Sequence, residues 1–539
     1  MTQVNDVRDA HVETTPAQAV SPWQPLSQPV FRMLWIATVV SNVGSWMSDV
    51  GINWSMLTLS ADPLDIALVQ AASSLPMFLF ALPSGVMADI VDRRKYLLFS
   101  QLWVFIAAAG LTVLSFTGHV TPTVLLVATF LLSVGAAMSS PPFQPVVPAL
   151  VSKPELGAAV ALNSLGVNIS RAIGPALGGF LLSLAGPWMV FALNALSVVG
   201  VAWVLWRWRP APSIQRLPPE HFFSAVRTGI RYVHAAPVLR NVLVRTVAFF
   251  VFGSAGWALL PLVARRELGL GPAGYGVMLA CIGMGAIAGA ILLPRLRQRL
   301  NADRLMVAAS LTFALTMLAL AFVRHVWLLN LFEFFTGFAW IAVLSTLNLG
   351  AQRSAARWVK ARALAVYLTV FFGSMTTGSA IWGQIASQFG TPTALVVATL
   401  GMVLASATVF RWKLEKDPDL NLDLSGQPLD GVKIDLPNER GPVLVSHEYI
   451  IDPHNAKAFL QAVHELRRVR RRAGAMSWAV YEDIERPGLF IETFLMGSWI
   501  EHLRQQERHT MNDLLLQSRV LAFHQGTTSP AIRYLVAPV

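Results

Sequence analysis

Four charged residues lie inside or beside long apolar stretches of this chain: Asp49, Arg171, Arg245 and Glu333. A charge inside a bilayer costs roughly 2.5–3.5 kcal/mol on insertion scales, so such side chains usually face a cavity and serve a function. Asp49 and Glu333 are acids that can take up and release a proton, and we expect them to carry protons. Arg171 can pair with one of these acids or attract an anionic ligand. We expect Arg245 to extend its side chain to the nearby membrane edge.

Several polar residues share these apolar stretches. Side chains of this kind can line a binding cavity, but more often they link neighbouring helices by hydrogen bonds. Both interpretations stay open for each amide. The candidates for a substrate cavity are Asn42, Asn53, Gln144, Asn168, Arg171 and Asn348.

The composition places these residues in a membrane. The chain has 539 residues, of which 54% are hydrophobic and only 13% charged, whereas a soluble domain has about 25% charged residues. About 20 apolar residues are needed to cross the hydrocarbon core. Twelve stretches qualify, and they predict a membrane all-α fold of twelve transmembrane helices. They lie near 31–59, 66–88, 96–117, 122–149, 158–184, 186–206, 238–263, 273–294, 304–323, 326–349, 363–388 and 391–411.

Basic residues predict the orientation of the spans. Seventeen Lys and Arg residues fall in the connections on one side, and three, Arg265, Arg266 and Arg324, fall on the other. Cytoplasmic loops retain the positive charge, so we expect a multi-pass protein of the inner (plasma) membrane with both termini in the cytoplasm. The net charge of +11 is explained by these loops, and no nucleic-acid partner is expected. The single cysteine, Cys281, excludes an intrachain disulfide, and we expect no metal or cofactor.

The chain repeats itself. A shift of 204 residues places Gly85 on Gly289, Gly174 on Gly378 and Gly179 on Gly383, and a shift of 208 aligns the segments that start at residues 29 and 237. Parallel repeats of this kind build transporters whose substrate site lies between the halves. The predicted organisation is a disordered tail (1–28), a six-helix half (29–206), a cytoplasmic linker (207–237), a second half (238–412), a linker (413–440) and a soluble domain (441–539).

Two motifs resemble those of the major facilitator superfamily. The charged loop at 85–98 resembles the superfamily's gating loop motif at Gly85, Asp89, Arg93 and Arg94, and departs from it at Ile90 and Asp92. A carboxylate at Asp89 can meet a helix N-terminus of the opposite half, which makes the loop a latch that favours one access state. The stretch 171–179 resembles the core of the antiporter motif of proton-coupled drug exporters. Its matching residues, which we expect to pack helices closely, are Gly174, Pro175, Gly178 and Gly179.

The pattern of the last hundred residues predicts a soluble α+β domain. The order strand, helix, two strands, helix 498–523 and a final strand at 531–536 predicts a ferredoxin-like arrangement. The segment 498–510 is similar to antibiotic-biosynthesis-monooxygenase domains. Aromatic and histidine side chains that could serve an enzyme are Tyr449, His454, Trp478, Tyr481, Trp499, His502 and His509. Their spacing does not indicate a metal site, so we expect no enzyme here and consider homodimerisation through this domain.

Spans, loop motif and tail together resemble the transmembrane secretion effector branch of the superfamily, related to enterobactin exporters, and residues 357–367 resemble that branch's loop after span 10. The resemblance implies a proton-coupled exporter of amphiphilic small molecules such as siderophores or antibiotics. Its expected partners are the lipid bilayer, a small-molecule substrate and protons. Two alternatives stay open: a transporter fused to a monooxygenase-like enzyme that modifies its cargo, and an importer. The chain has no phosphate-binding loop of the ATPase type.

Overall fold

The computed structural model describes residues 21–144, 146–152, 154–208, 236–355, 360–414, 440–507 and 510–537. Most of the two predicted linkers, the first twenty residues and His509 therefore lie outside the described residues. The predicted disordered tail is described from residue 21, where Gln24–Ser27 form a 3-10 turn that buries Pro25.

All twelve predicted spans form helices, and one short helix interrupts the series after the fourth. Many begin with proline at the first helical position, where the missing N–H costs nothing. The helices are α1 (Pro29–Leu59), α2 (Pro63–Ile90), α3 (Arg93–Phe116), α4 (Pro122–Phe143), the short α5 (Val146–Leu150), α6 (Leu156–Ala185), α7 (Pro187–Arg207), α8 (Pro237–Leu262), α9 (Pro272–Arg299), α10 (Ala302–Phe322), α11 (Val326–Arg353), α12 (Lys360–Phe389) and α13 (Thr391–Ser406).

Eleven helices among the described residues are long and apolar enough to cross a membrane. Helix α1 has 31 residues but is not one of them. Its lower hydropathy comes from polar residues spread along the helix, which are Ser41, Asn42, Ser45, Ser48, Asp49 and Asn53. A long helix with this composition is better suited to line the protein interior than to face lipid.

Two halves, α1–α7 and α8–α13, pack in equivalent ways. A methyl group placed on Gly174 would lie 2.6 Å from Cβ of Trp46 in α1, and one on Gly378 would lie 2.5 Å from the main-chain oxygen of Val251 in α8. Five residues later, each helix approaches the other half. A methyl group on Gly179 would lie 2.5 Å from the oxygen of Pro272 in α9, and one on Gly383 would lie 2.5 Å from Cβ of Ala67 in α2. The repeat in the sequence is therefore a repeat of close helix contacts.

The halves meet mainly through α2 with α12 and α6 with α9. We name the side on which α1 begins and α13 ends the terminal side, and the other the far side. On the far side, α1 and α2 also contact α8 and α9. On the terminal side, α4 and α11 make no extensive contact with each other in the described part of the chain. We call the space between the halves the cleft; the described contacts of α1 and α2 with α8 and α9 lie at its far side.

The tail forms an α+β domain of β1 (Val443–Ile450), α14 (Ala456–Arg472), β2 (Ser477–Glu482), β3 (Leu489–Met496), α15 (Trp499–Glu507), α16 (Met511–Leu521) and β4 (Ala531–Val536). The strand order is β2-β3-β1-β4 with antiparallel pairs throughout. The helices cover one sheet face, where Phe459 of α14 packs on Tyr449 of β1 and Phe490 of β3. The order of strands and helices is the predicted one, except that the second helix is divided: Thr510 starts α16 with a capping box that includes Asp513.

Candidate functional site

Asp49 lies on α1 in the cleft between the halves. Its side chain is exposed although it sits deep among the helices, with Tyr275 of the opposite half close enough to feel its charge. One turn later, Nδ2 of Asn53 donates to the main-chain oxygen of Asp49 at 2.8 Å. Asp49 therefore lies next to the surface where the two halves meet.

Arg171 lies on α6 and stacks on α1. Its guanidinium carbon is 5.6 Å from the centre of the Trp46 ring, a favourable cation–π distance. Among the described residues Arg171 forms no ion pair with Asp49 or Glu333, and its Nε has no hydrogen-bond acceptor. The expected pairing with an acid is therefore not found within the described part of the chain, and the cation remains able to meet an anion.

Aromatic and basic side chains close the cleft on the far side. The rings of Trp54 in α1 and Tyr275 in α9 lie 6.2 Å apart, and the guanidinium carbon of Arg265 lies 5.7 Å above the Trp54 ring. Arg266 donates to the main-chain oxygen of Ala61, between α1 and α2. Sequence reasoning used both arginines only for orientation. Basic residues are rare on that side, and this rarity is the one sequence signal that could have indicated the contact. We call the contact of Trp54, Tyr275, Arg265 and Arg266 with one another and with Ala61 the far-side gate.

Glu333 lies in the interior of the second half rather than in the cleft. It is 1% exposed, and among the described residues neither carboxyl oxygen has a hydrogen-bond partner with good geometry. It borders an enclosed cavity of about 10 Å³ formed by α8, α9, α10 and α11, about the size of one water molecule. Trp257 of α8 lines the same cavity, and its Nε1 also has no acceptor within the part of the chain that the structure describes. The structure thus places the two predicted proton carriers in different halves.

The predicted cavity amides lie on α1, on α6, on α11 and at the end of α4. Nδ2 of Asn168 donates to the oxygen of Ser164 within α6 at 2.9 Å, and Oδ1 of Asn348 accepts from Gln352 within α11 at 2.6 Å. Asn42 is half-buried on α1, and Gln144 is exposed at the break between α4 and α5. Asn53 and Asn168 use their amide groups for bonds within their own helices, and of the amides only Asn53 lies one turn from Asp49.

The glycine motif of α6 joins α1 on one face and α9 on another. A methyl group on Gly178 would lie 2.8 Å from Cα of Met47, so α1 lies directly on the backbone of α6. On the other face, a methyl group on Gly276 of α9 would lie 2.5 Å from the oxygen of Pro175 and 3.2 Å from Cα of Gly179. Small residues allow this approach, and here the approach joins the halves as well as helices of one half.

The loop motif makes its described contacts within the first half. Arg94 donates through Nε to the oxygen of Leu205 at 3.0 Å and through Nη2 to that of Trp206, so its charge lies at the negative C-terminal end of α7. Asp92, which departs from the motif, accepts from the N–H of Lys95 and caps α3. Gly85 faces Pro141 of α4, where a methyl group would have ordinary contact at 3.9 Å. The side chain of Asp89 lies outside what the structure describes, and Nε of Arg93 is buried without a partner among the described residues.

The expectation that Arg245 reaches the membrane edge is wrong. The residue is 2% exposed, and its Nη1 lies 3.4 Å from Asp303 Oδ1 at the start of α10. Asp303 also accepts from the main-chain N–H of Leu414 at 3.1 Å. A buried carboxylate partner, 58 residues away in the sequence, stabilises the charge better than a long reach to water.

A buried polar cluster holds the tail domain together. Oε1 of Glu492 accepts from Arg470 Nε at 3.1 Å and Trp478 Nε1 at 2.9 Å, and its Oε2 accepts from the Tyr449 hydroxyl at 3.1 Å. Burial acts to raise the pKa of Glu492, but the charge of Arg470 and these hydrogen bonds outweigh it and lower the pKa to about 2. Tyr449 and Trp478, two of the side chains that could serve an enzyme, therefore donate hydrogen bonds to a carboxylate whose two oxygens are both hydrogen-bonded.

The other candidates in the tail do not form one site with this cluster. His502 and Trp499 lie together on α15 with ring centres 5.3 Å apart, and they pack against Tyr534 of β4. His454 and Tyr481 are exposed, and His509 is outside the described residues. No group of three metal-binding side chains exists among the described residues.

Comparison with known proteins identifies the family. A model of the transmembrane secretion effector family matches residues 20–538, nearly the whole chain. The chain belongs to the transmembrane secretion effector family. It is 22% identical over 409 residues to the multidrug efflux pump Tap of Mycolicibacterium fortuitum, covering 74% of this chain and 98% of that one. It is 25% identical over 330 residues to the enterobactin exporter EntS of Escherichia coli O1:K1, covering 60% and 76%. It is 22% identical over 284 residues to the staphyloferrin A transporter of Staphylococcus aureus, covering 52% and 70%.

Solved structures share the fold. A bacterial homologue of the human lysosomal transporter Spinster, in an inward-facing and unoccupied conformation, aligns with a TM-score of 0.58 at 14% identity, over 72% of this chain and 98% of that one. A transporter of the POT family in complex with 5-aminolevulinic acid aligns with a TM-score of 0.60 at 13% identity, over 72% and 96%. The secretion effector is thus a multi-pass membrane transporter of the major facilitator superfamily whose relatives include exporters; those relatives are transporters and not enzymes.

Proposed function

We propose that this secretion effector is a proton-coupled exporter of anionic amphiphilic small molecules, of the siderophore or antibiotic type, that works by alternating access between its halves. The observation that carries the proposal is the cleft itself. It holds an acid, Asp49, and a cation that stacks on an aromatic ring, Arg171, between two halves that the Trp54–Tyr275 contact joins on the far side. The cargoes in its relatives' names, enterobactin and staphyloferrin A, support the substrate class, and the names exporter and efflux pump of two relatives support the direction.

Asp49 and Glu333 have different roles in this proposal. Asp49 exchanges protons with the cleft, where it lies close to the far-side gate. Glu333 is a second proton site within the second half, beside Trp257 of α8. Helix α8 continues directly into a turn, Val263–Glu267, that carries Arg265 and Arg266. A change of protonation at Glu333 therefore acts on the same helix that closes the gate. The basic terminal-side loops support a cytoplasmic location for both termini.

The test is accumulation of fluorescent amphiphiles and siderophores in cells, with and without a protonophore. We expect lower accumulation in cells that express the full chain, and recovery when the proton gradient collapses. Asp49→Asn and Glu333→Gln should each abolish the gradient-dependent part. Asp62→Asn is the matched control, because asparagine keeps the helix cap of α2 while removing a carboxylate outside the cleft. Unchanged coupled efflux in Asp49→Asn would remove that residue from the mechanism.

We also propose that the tail domain forms a homodimer. The sheet face away from its helices carries an apolar surface, formed by Leu444, Ile450, Ile491, Leu495 and Leu535 on three adjacent strands. Ile450 and Leu535 are 51% and 56% exposed. The pair Glu448–Arg533, 3.1 Å apart on the same face, can exchange partners across a two-fold axis. Chemical crosslinking of the full chain should give dimers that Leu535→Glu removes, while monomers in both would contradict the proposal.

A further inference from the structure

A second cleft lies outside the space between the halves. Helices α2 and α3 are joined by only two residues, yet they make little contact with each other, and both pack on α4. The gap has a volume of about 520 Å³, within the usual range of ligand sites. Its lining is apolar apart from three side chains, Ser84, Lys95 and Tyr96. The deeper lining residues are Phe80, Pro83, Met87, Phe99, Val134 and Met138.

The depth of this α2–α3 cleft matches one leaflet of a bilayer. It runs along α2 from Val91, just past the helix end, to Phe80. At 1.5 Å per residue this is roughly 15 Å, half of a hydrocarbon core of about 30 Å. The cleft therefore extends from the membrane surface on the terminal side to the middle of the bilayer, and its exposed side chains Phe99 (53%) and Met87 (43%) are at the depth of acyl chains.

A positive charge lies at the end of the α2–α3 cleft that is nearest the membrane surface. Lys95 is exposed at the first turn of α3, and Asp92, the nearest described acid in sequence, is occupied in capping the N–H of Lys95. The neighbouring Arg94 is bonded to the end of α7, so Lys95 is the cation of this loop that borders the cleft. A long apolar slot with a cation at the membrane surface is complementary to one molecule class: a lipid with an anionic headgroup and an acyl chain.

We propose that the α2–α3 cleft is a binding site for an anionic phospholipid of the terminal-side leaflet. One acyl chain lies along α4 against Val134 and Met138, and the phosphate contacts Lys95. The lipid then fills the gap that the short α2–α3 connection leaves, beside the gating loop motif at Gly85. The inference depends on the membrane fold and not on the cargo or its direction.

The test uses the purified full chain in neutral detergent, with native mass spectrometry to count bound phosphatidylglycerol or phosphatidylcholine. We expect phosphatidylglycerol to bind with defined stoichiometry and in preference to phosphatidylcholine. Lys95→Ala should weaken phosphatidylglycerol binding about five-fold, the equivalent of about 1 kcal/mol for one cation at a membrane surface. Arg240→Ala is the control, because Arg240 is exposed at the terminal-side start of α8, away from the cleft.

A second variant fills the cleft without touching the charge. Met138→Trp should remove the preferential binding and leave thermal unfolding in detergent unchanged or improved; Val134→Phe serves if that variant does not fold. Equal binding of both lipids, or wild-type binding by the filled variant, would overturn the proposal. Displacement of phosphatidylglycerol by an exported amphiphile from the wild type but not from Met138→Trp would assign the cleft to cargo and overturn it too.

Discussion

Replacing Gly276 by alanine tests whether the contact of α6 with α9 belongs to one state of the transporter. The added methyl group would lie 2.5 Å from the oxygen of Pro175 and 3.2 Å from Cα of Gly179. Both are backbone atoms, so no rotamer change can make room. To restore a contact of 3.4 Å, α9 must retreat from α6 by about 0.9 Å. Overpacking of this kind costs about 1–3 kcal/mol.

The cost falls on the state that is closed at the far side, because that state brings these backbones together. We therefore expect Gly276→Ala to shift the population away from this state by about 5- to 150-fold. Spin labels at Leu59→Cys and Gly271→Cys, in a Cys281→Ala background, report the distance across the far-side gate by double electron–electron resonance. The labelled positions are an exposed leucine and a glycine with open space around it.

Two controls separate a shift of state from a loss of stability. Gly110→Ala on α3 meets nothing within 4 Å and should leave the distance distribution unchanged. Gly285→Ala would put a methyl group 1.8 Å from the oxygen of Phe334 inside the second half, and should lower the unfolding temperature instead of opening the gate. If Gly276→Ala gives the same distances as Gly110→Ala, the α6–α9 contact is not specific to the far-side-closed state and our account of the cleft is refuted.

Four further outcomes are expected. Arg245→Ala should lower the free energy of unfolding by about 3–5 kcal/mol, because it leaves Asp303 buried without its cation. Arg240→Ala, at an exposed position, should lower it little. Equal shifts of the unfolding temperature in the two variants would contradict a stabilising role for the buried pair. Arg94→Ala should cost about 1 kcal/mol by removing a cation from the C-terminus of α7, measured in the same melts, with no effect on the far-side distance. Arg266→Ala should widen the far-side distance distribution, because it removes a hydrogen bond to Ala61 that links the halves. Arg324→Ala should leave the distribution unchanged, because Arg324 pairs with Glu267 within one half. The pKa of Glu492 is lowered to about 2 from an ordinary 4.5, and this shift stabilises the tail domain by on the order of 3 kcal/mol above pH 4.5. The stabilisation is lost as the pH falls from 4.5 toward 2. Short pepsin pulses on the full chain should therefore cut the tail increasingly over that range, and Glu492→Gln should be cut easily throughout.

The spans could be predicted because length and apolar composition decide whether a helix crosses a bilayer, and α2 to α13, apart from the short α5, meet that condition. The glycine repeat predicted close packing, because glycine is the residue that backbone contact requires. Partners distant in sequence could not be predicted. The burial of Arg245 depends on its pairing with Asp303, and the burial of Glu333 depends on which face of α11 turns inward. The sequence of a nearly uniform apolar helix does not reveal that face. Asp92 was a departure from a motif in the sequence, and in the structure it is the cap of α3.

The paired contacts at Gly179 and Gly383 also bear on the rate of movement. Interlocked side chains make packed helices slide in steps, since each side chain must leave one groove and change rotamer before entering the next. Where α6 meets α9, backbone lies on backbone, and the two surfaces are locally smooth. A smooth contact can shear by fractions of an ångström without such rearrangements. The second site, at α2 with α12, stands at the pseudo-symmetric position and brings Gly383 against Cβ of Ala67, so both contacts can separate without any side chain changing rotamer when the far side opens.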